Sequence, residues 1–271
     1  MTGSSTPPVT TYIHGAAPEE QERLAALNRM NNPLFMEFLD LGGARTILEV
    51  GCGMGLLTEC VARAAPTATV VGIEQLPEQL ARAPQGEAAP ENLRFIQADA
   101  HHLPFGDGSF DIVYCRFVLE HLRDPAAALR EMRRVAAPGG RVYAMENNIL
   151  MCDFDPDCPG FESVWRKFAA LQKLLGGDAL VGKRLFRLFR SAGFEDVRLS
   201  IQPEIHHAGQ PGFEPWLRNL IGNVRSGERA LMERGLARRE EIEAAVGELE
   251  ALIQRADATA LFYWNRAAGV K

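Results

Sequence analysis

Five short apolar runs separated by helical stretches constrain this chain more than any other feature. Thr46-Ile47-Leu48-Glu49-Val50, Thr69-Val70-Val71-Gly72-Ile73, Leu93-Arg94-Phe95-Ile96, Phe110-Asp111-Ile112-Val113-Tyr114 and Arg141-Val142-Tyr143-Ala144-Met145 each read as a strand. Between them, Leu56 to Arg63, a short segment opened by Pro77, and Asp124-Pro125 to about Val135 read as helices, with Pro138-Gly139-Gly140 as a turn. Strands alternating with helices predict a parallel, doubly wound α/β sheet. Such sheets take their ligands beyond the carboxyl ends of the strands, at the point where the winding reverses.

The flanks are less regular. Residues 1 to about 15 are rich in Thr, Ser and Pro, and Pro18-Glu19-Glu20 then opens a helix. Leu34, Phe35, Phe38, Leu39 and Leu41 form a second amphipathic run, stopped by Gly42-Gly43. Past the fifth strand, Ser163 to Leu175 and Lys183 to Ala192 read as helices and Val197 to Ile201 as a strand. Two polar-rich helical stretches follow, Pro215 to Arg234 and Arg238 to Arg255, and Leu261-Phe262-Tyr263-Trp264 reads as a terminal strand. The roughly 60 residues between the late strand and Leu261 exceed an ordinary connection. The segment around Phe213, Trp216, Leu217 and Ile221 is therefore expected to form a helical substrate cover or the face of a homodimer. The expected division is an N-terminal lid with helices over 1–43, a sheet domain over 44–205 plus 258–271, and a helical cap over 206–257.

Composition removes whole classes of function. A chain of 271 residues with 46% hydrophobic and 24% charged residues can bury a full core without staples, which excludes disorder and a disulfide scaffold. A formal charge of −6 makes nucleic acid a poor partner. The cysteines Cys52, Cys60, Cys115, Cys152 and Cys158 show no CxxC pair, so reduced thiols in a cytoplasm and no metal are expected. Asp153, Asp155 and Asp157 alternate, but an EF-hand loop wants Gly next and Glu at its twelfth position; Cys158 and Val164 stand there. Met1 to Gly15 lacks the basic cluster and apolar stretch of a signal peptide, and no apolar run approaches the roughly 20 residues of a membrane span.

The chemistry concentrates in Glu49-Val50-Gly51-Cys52-Gly53-Met54-Gly55, where the first strand passes into a helix. Glycines there allow a tight turn and close approach of a ligand. A nicotinamide fingerprint needs its third glycine at position 56, which is Leu56. The acid-apolar-GxGxG run resembles motif I of the class I S-adenosylmethionine (SAM) methyltransferases, and further landmarks of that family fall in order. They are Glu74 ending the second strand, Phe95-Ile96-Gln97-Ala98-Asp99-Ala100, Leu103-Pro104-Phe105, Val118-Leu119-Glu120-His121-Leu122 and the Pro138-Gly139-Gly140-Arg141 turn.

The resemblance spans about residues 45–147 and is strongest to the small-molecule, ubiquinone/menaquinone-like branch. Tyr12-Ile13-His14-Gly15 with Glu22-Arg23-Leu24 resembles that branch's lid. It implies a Rossmann-like sheet, mostly parallel with a late antiparallel strand, plus N-terminal helices and a helical cap insertion. It also implies that Glu49, Gly51, Gly53 and Gly55 flank the methionine moiety. Glu74 would grip the ribose hydroxyls, Asp99 would accept from the adenine amino group, and the Cys115 carbonyl would accept from the cofactor amino group. Tyr12, Cys52, Gln75, Ala100 and His121 complete the implied cofactor set.

Two departures narrow the acceptor. Arg116-Phe117 stands where methyltransferases of nucleic-acid and protein amides often carry an Asn/Asp-Pro-Pro-aromatic run. Tyr114 precedes Cys115 where cytosine-C5 enzymes place a proline before their nucleophile. The expected activity is methyl transfer from SAM to O, N or C of a small, fairly apolar metabolite of a specialised biosynthesis. The alternatives are another SAM-dependent reaction, such as an assisted cyclisation, and a non-catalytic SAM sensor. A sulfonium methyl is already activated, so a base is needed only for an acceptor of high pKa. His207, His206, His14 and Glu146 are the candidates, with His121 a further histidine near the site.

Overall fold

The computed structural model describes residues 18–86 and 89–271. Tyr12 and His14, and with them the proposed lid segment, lie outside the described residues.

The first strand, β1 (Thr46–Val50), is buried along almost its whole length, with Ile47 and Leu48 entering cores on opposite faces of the sheet. That is why the run is continuously apolar. β2 (Thr69–Glu74) and β4 (Phe110–Arg116) flank it in parallel, placing Ile73 and Cys115 beside Val50. β3 (Leu93–Gln97) extends the sheet beyond β2, and β5 (Ala136–Glu146) beyond β4. The order β3-β2-β1-β4-β5 reverses its winding between β1 and β4. The expected turn at Pro138-Gly139-Gly140 is absorbed into β5, whose pairing with β4 shifts register between Phe110 and Ile112.

Three further strands complete the sheet: β6 (Asp153–Asp155), β7 (Glu195–His207) and β8 (Thr259–Val270). β8 runs antiparallel to β5 on one side and to β7 on the other, and its first residues also pair β6. This is the late antiparallel strand that the resemblance implies. Both β7 and β8 are longer than their apolar runs. His206 and His207 are the last two residues of β7, opposite Ala260 and Thr259, and do not follow the strand as expected. Pro203 is tolerated there because β7 is an edge strand, where a missing N–H breaks no inner ladder.

Helices cover both faces. α1 (Pro18–Phe38) is one helix where two runs are expected, and it continues through Pro33. Its last turns are held by aromatic contacts, Phe35 on Tyr114 at 5.6 Å and Phe38 edge-on to Tyr143 at 5.2 Å. α2 (Leu56–Ala64), α3 (Pro77–Leu80) and α4 (Pro125–Val135) connect successive strands; the Asp124 carboxylate accepts from the Ala127 amide at 2.9 Å and caps α4. α5 (Pro159–Leu174), α7 (Phe213–Glu233) and α8 (Arg239–Ile253) share one core with the aromatic ends of β6 and β8, while α6 (Leu185–Ser191) packs on the other face. No helix among the described residues is long and apolar enough to cross a membrane.

Candidate functional site

The carboxyl ends of β1, β2, β3 and β4 open into a cavity of about 860 Å³, bounded on its far side by α1, α5 and α7. Its size falls within the roughly 300–1,000 Å³ of ligand pockets. The glycine loop forms the floor. The amides of Gly51 and Cys52 both donate to the Ile73 carbonyl at 2.8 Å, tying the loop to the end of β2. Gly51 has φ 73°, and a Cβ there would sit 2.4 Å from Val118 Cγ2. Gly53 donates its amide to Glu74 Oε2 at 3.0 Å, and Glu74 Oε1 accepts the amides of Gln75 and Leu76 at 2.9 Å. A carboxylate oxygen has lone pairs beyond these, so Glu74 retains capacity for ligand hydroxyls.

Asp99 stands at the same level on the neighbouring strand end. It accepts the His101 amide at 2.9 Å and lies 2.9 Å from the His101 ring. Burial pushes its carboxyl up, but the hydrogen bonds and charges of His101 and His102 outweigh that and hold it below the usual range.

Below the loop, Glu49 is buried and accepts from Thr58 Oγ1 at 2.6 Å and from the Tyr114 hydroxyl at 2.9 Å. Burial pushes its pKa up to about 7, against the hydrogen bonds and the nearby Arg116 charge. Arg116 donates through Nη2 to Asn28 of α1 and rests over the rings of Phe35 and Phe117. Its Nη1 is buried without a partner, as is Oε1 of Gln79, and both residues line the cavity. Buried polar atoms are rarely left unpaired. A donor and an acceptor left vacant beside a glycine loop and two carboxylates fit a polar ligand carrying an amino acid and a ribose.

The other half of the cavity is aromatic. Phe117, Trp165, Phe168, Trp216, Phe262 and Trp264 line it, joined by Glu120, Asn147 and Gln172. Phe117 has φ 58°, unusual for a bulky residue, and is held there by its amide bond to the Met145 carbonyl and by its ring, 4.4 Å from that of Trp264.

Of the residues expected at a cofactor site, Glu49, Gly51, Cys52, Gly53, Glu74, Gln75, Asp99, Ala100 and His121 line this cavity. Gly55 and Cys115 do not. Gly55 is the left-handed residue that begins α2, and a Cβ there would meet Phe95 Cζ at 2.4 Å, so its smallness serves packing. Cys115 is wholly buried in β4, and burial beside Glu146 pushes its thiol well up.

The described candidates for a base also stand apart from the cavity lining. His206 stacks on Trp216 at 5.3 Å and lies 3.2 Å from Glu204, while His207 is exposed and contacts the Ala208 carbonyl. Glu146 is completely buried and accepts the amides of Val118, Leu119 and Glu120. It shapes the turn after β4 and has no open face. Asp153 and Asp155 end the short strand β6 around the buried Phe154, and among the described residues no group of three or more metal-ligating side chains is present. Sequence reasoning missed Gln79, Asn28, Arg116 and Glu120 as cavity residues; a short distance from the glycine loop or from strand four was their only signal.

A glycine loop at the switch point, with acids at the ends of the next two strands, defines a doubly wound α/β protein with a ligand cavity at its strand ends. The methyltransferase domain model matches residues 48–144. An uncharacterized methyltransferase of Schizosaccharomyces pombe is 39% identical over 112 residues, covering 38% of this chain and 40% of that protein. Demethylmenaquinone methyltransferase of Staphylococcus aureus is 32% identical over 171 residues, covering 56% of this chain and 68% of that protein. The chain belongs to the methyltransferase domain family, within the class I SAM-dependent methyltransferases. A SAM-dependent methyltransferase of Thermotoga maritima shares the fold at 15% identity, with a TM-score of 0.57 over 96% of this chain and 100% of the other. The chain spans about 40% and 54% of the lengths of the first two curated relatives it matches.

Proposed function

We propose that the chain binds SAM and transfers its methyl group to O, N or C of a small, fairly apolar acceptor. One observation carries this reading: the glycine loop, Glu74 and Asp99 open into the same cavity as the aromatic half formed with α5 and α7. Glu74 would hold the ribose and Asp99 the adenine edge. Arg116 Nη1 would meet the methionine carboxylate, with Gln79 free to accept from the ligand. Bound there, SAM supplies a methyl group already activated by its sulfonium.

The protein's part is then to align the acceptor, which can contribute several kcal/mol, and to exclude water. Residues 206–257 together with α5 act in this reading as the cover of the acceptor half, and the segment before α1 as its lid. Calorimetric titration should give micromolar binding of SAM or S-adenosylhomocysteine, with NAD inert. Glu74→Ala should weaken that binding strongly. Incubation with SAM and a metabolite panel should give a product heavier by one methylene. Unchanged affinity in Glu74→Ala would reject the ribose assignment.

A further inference from the structure

Glu120 is a buried carboxylate on the cavity wall whose partners are almost all neutral. Its side chain is 6% exposed. Oε1 accepts from Asn147 Nδ2 at 2.7 Å, and Oε2 from Gln172 Nε2 at 3.4 Å. Among the described residues the one basic side chain within 4 Å is His121, with Nε2 3.7 Å from Oε1. Three arginines line the cavity, and among the described residues none pairs with Glu120: Arg23 donates to Asn219 of α7 at 2.6 Å, Arg116 to Asn28, and Arg123 is exposed. A carboxylate taken out of water costs several kcal/mol unless an opposite charge compensates. Two amide donors offset part of that and leave a negative site on a ligand cavity. Behind it, burial and then the Glu120 charge push Glu146 up to about 8.

The surroundings suit a cation as well. All three tryptophans of the chain line this cavity. Trp165 spends its indole N–H on the Ile149 carbonyl and Trp264 spends its own on Glu204, each at 2.6 Å, so what remains for a ligand is ring surface. Phe168 and Gln172 stand one turn apart on α5, so a single helix supplies part of the aromatic wall and one of the donors to Glu120. Ring faces attract cations, and a neutral apolar ligand would leave Glu120 uncompensated.

We propose that the acceptor is a basic amine, held as its ammonium ion between the tryptophan rings and Glu120, which then takes its proton. In that step the N–H bond breaks, the electron pair stays on nitrogen, and the proton moves to a Glu120 oxygen. This rests on the methyltransferase reading and narrows its acceptor atom to nitrogen.

The test is a tryptophan-fluorescence titration of the full chain saturated with S-adenosylhomocysteine. The probes are choline and 3,3-dimethyl-1-butanol, which share a shape and differ in charge. The ammonium should bind about tenfold more tightly, within the range of a desolvated cation–π contact. Glu120→Gln should bring the two probes within about threefold of each other and leave S-adenosylhomocysteine affinity within twofold. Equal binding of the probes to the natural chain overturns the proposal, as does a charge preference that survives in Glu120→Gln. The first comparison needs no variant, so it decides even where Glu120→Gln fails to fold. Failure of S-adenosylhomocysteine itself to bind strikes instead at the methyltransferase reading, and the amine proposal falls with it.

Discussion

The Tyr114 hydroxyl donates to Glu49 Oε2 across 2.9 Å, on the same oxygen that Thr58 reaches at 2.6 Å, with both Tyr114 and Glu49 buried. Two donors on one oxygen favour the charged carboxylate, yet burial wins and the group titrates near 7 instead of 4.5. The native state therefore holds an extra proton across that window. The stability Glu49 contributes is complete below the lower value, falls as pH rises through the window, and levels off above it. The gap corresponds to roughly 3 kcal/mol. Urea unfolding from pH 5 to 8 should show Glu49→Gln gaining on the natural chain by about that much as pH rises. A difference that stays constant with pH would contradict the shift.

Gly55 has φ 71° and faces Phe95, whereas Gly43 has φ 74° and nothing within 4 Å of a built Cβ. Gly43→Ala should therefore cost about 1 kcal/mol of backbone strain alone. Gly55→Ala adds overpacking against the ring and should cost about 2–4 kcal/mol. Equal losses in denaturant unfolding would show that the ring yields.

Among the described residues, Arg116 Nη1 is the one guanidinium nitrogen buried without a partner. Arg116→Lys keeps a charge but removes the fork, and should weaken SAM by about ten- to a hundredfold, the worth of a charged hydrogen bond. Decarboxylated SAM should bind the natural chain and the variant alike. An equal loss for both ligands would sink the carboxylate assignment.

Glu204 accepts from Trp264 Nε1 at 2.6 Å and lies 3.2 Å from His206 Nε2, all within buried or half-buried surroundings. Glu204→Ala strands two polar partners and should lower stability by about 1–3 kcal/mol. His206→Ala in that background should cost less than it does alone, because the pair is already broken. Strict additivity in thermal unfolding would show that the two do not act together.

The sheet was legible because its inner strands are buried on both faces. Ile47, Leu48 and Val50 have to be apolar wherever β1 lies, and the same holds for Ile112 and Val113. Gly51, Gly53, Glu74 and Asp99 were legible because a doubly wound sheet brings its strand ends to one place. The extent of β7 was hidden, since an edge strand keeps polar residues such as Ser200 and Gln202 and even admits Pro203.

Chain order and apolar periodicity by themselves determined the class of fold, the switch point and the carboxylates beside it, since each depends on local pattern and strand order. Tertiary structure alone decided which polar groups face the cavity. Asn28 turns Arg116 there, Asn147 and Gln172 clamp Glu120 there, and Glu204 and Trp216 engage His206 instead. Asn28 and Arg116 stand 88 residues apart in sequence, and Glu120 and Gln172 stand 52 apart; burial and pairing are properties of neighbours in space that no local spacing records.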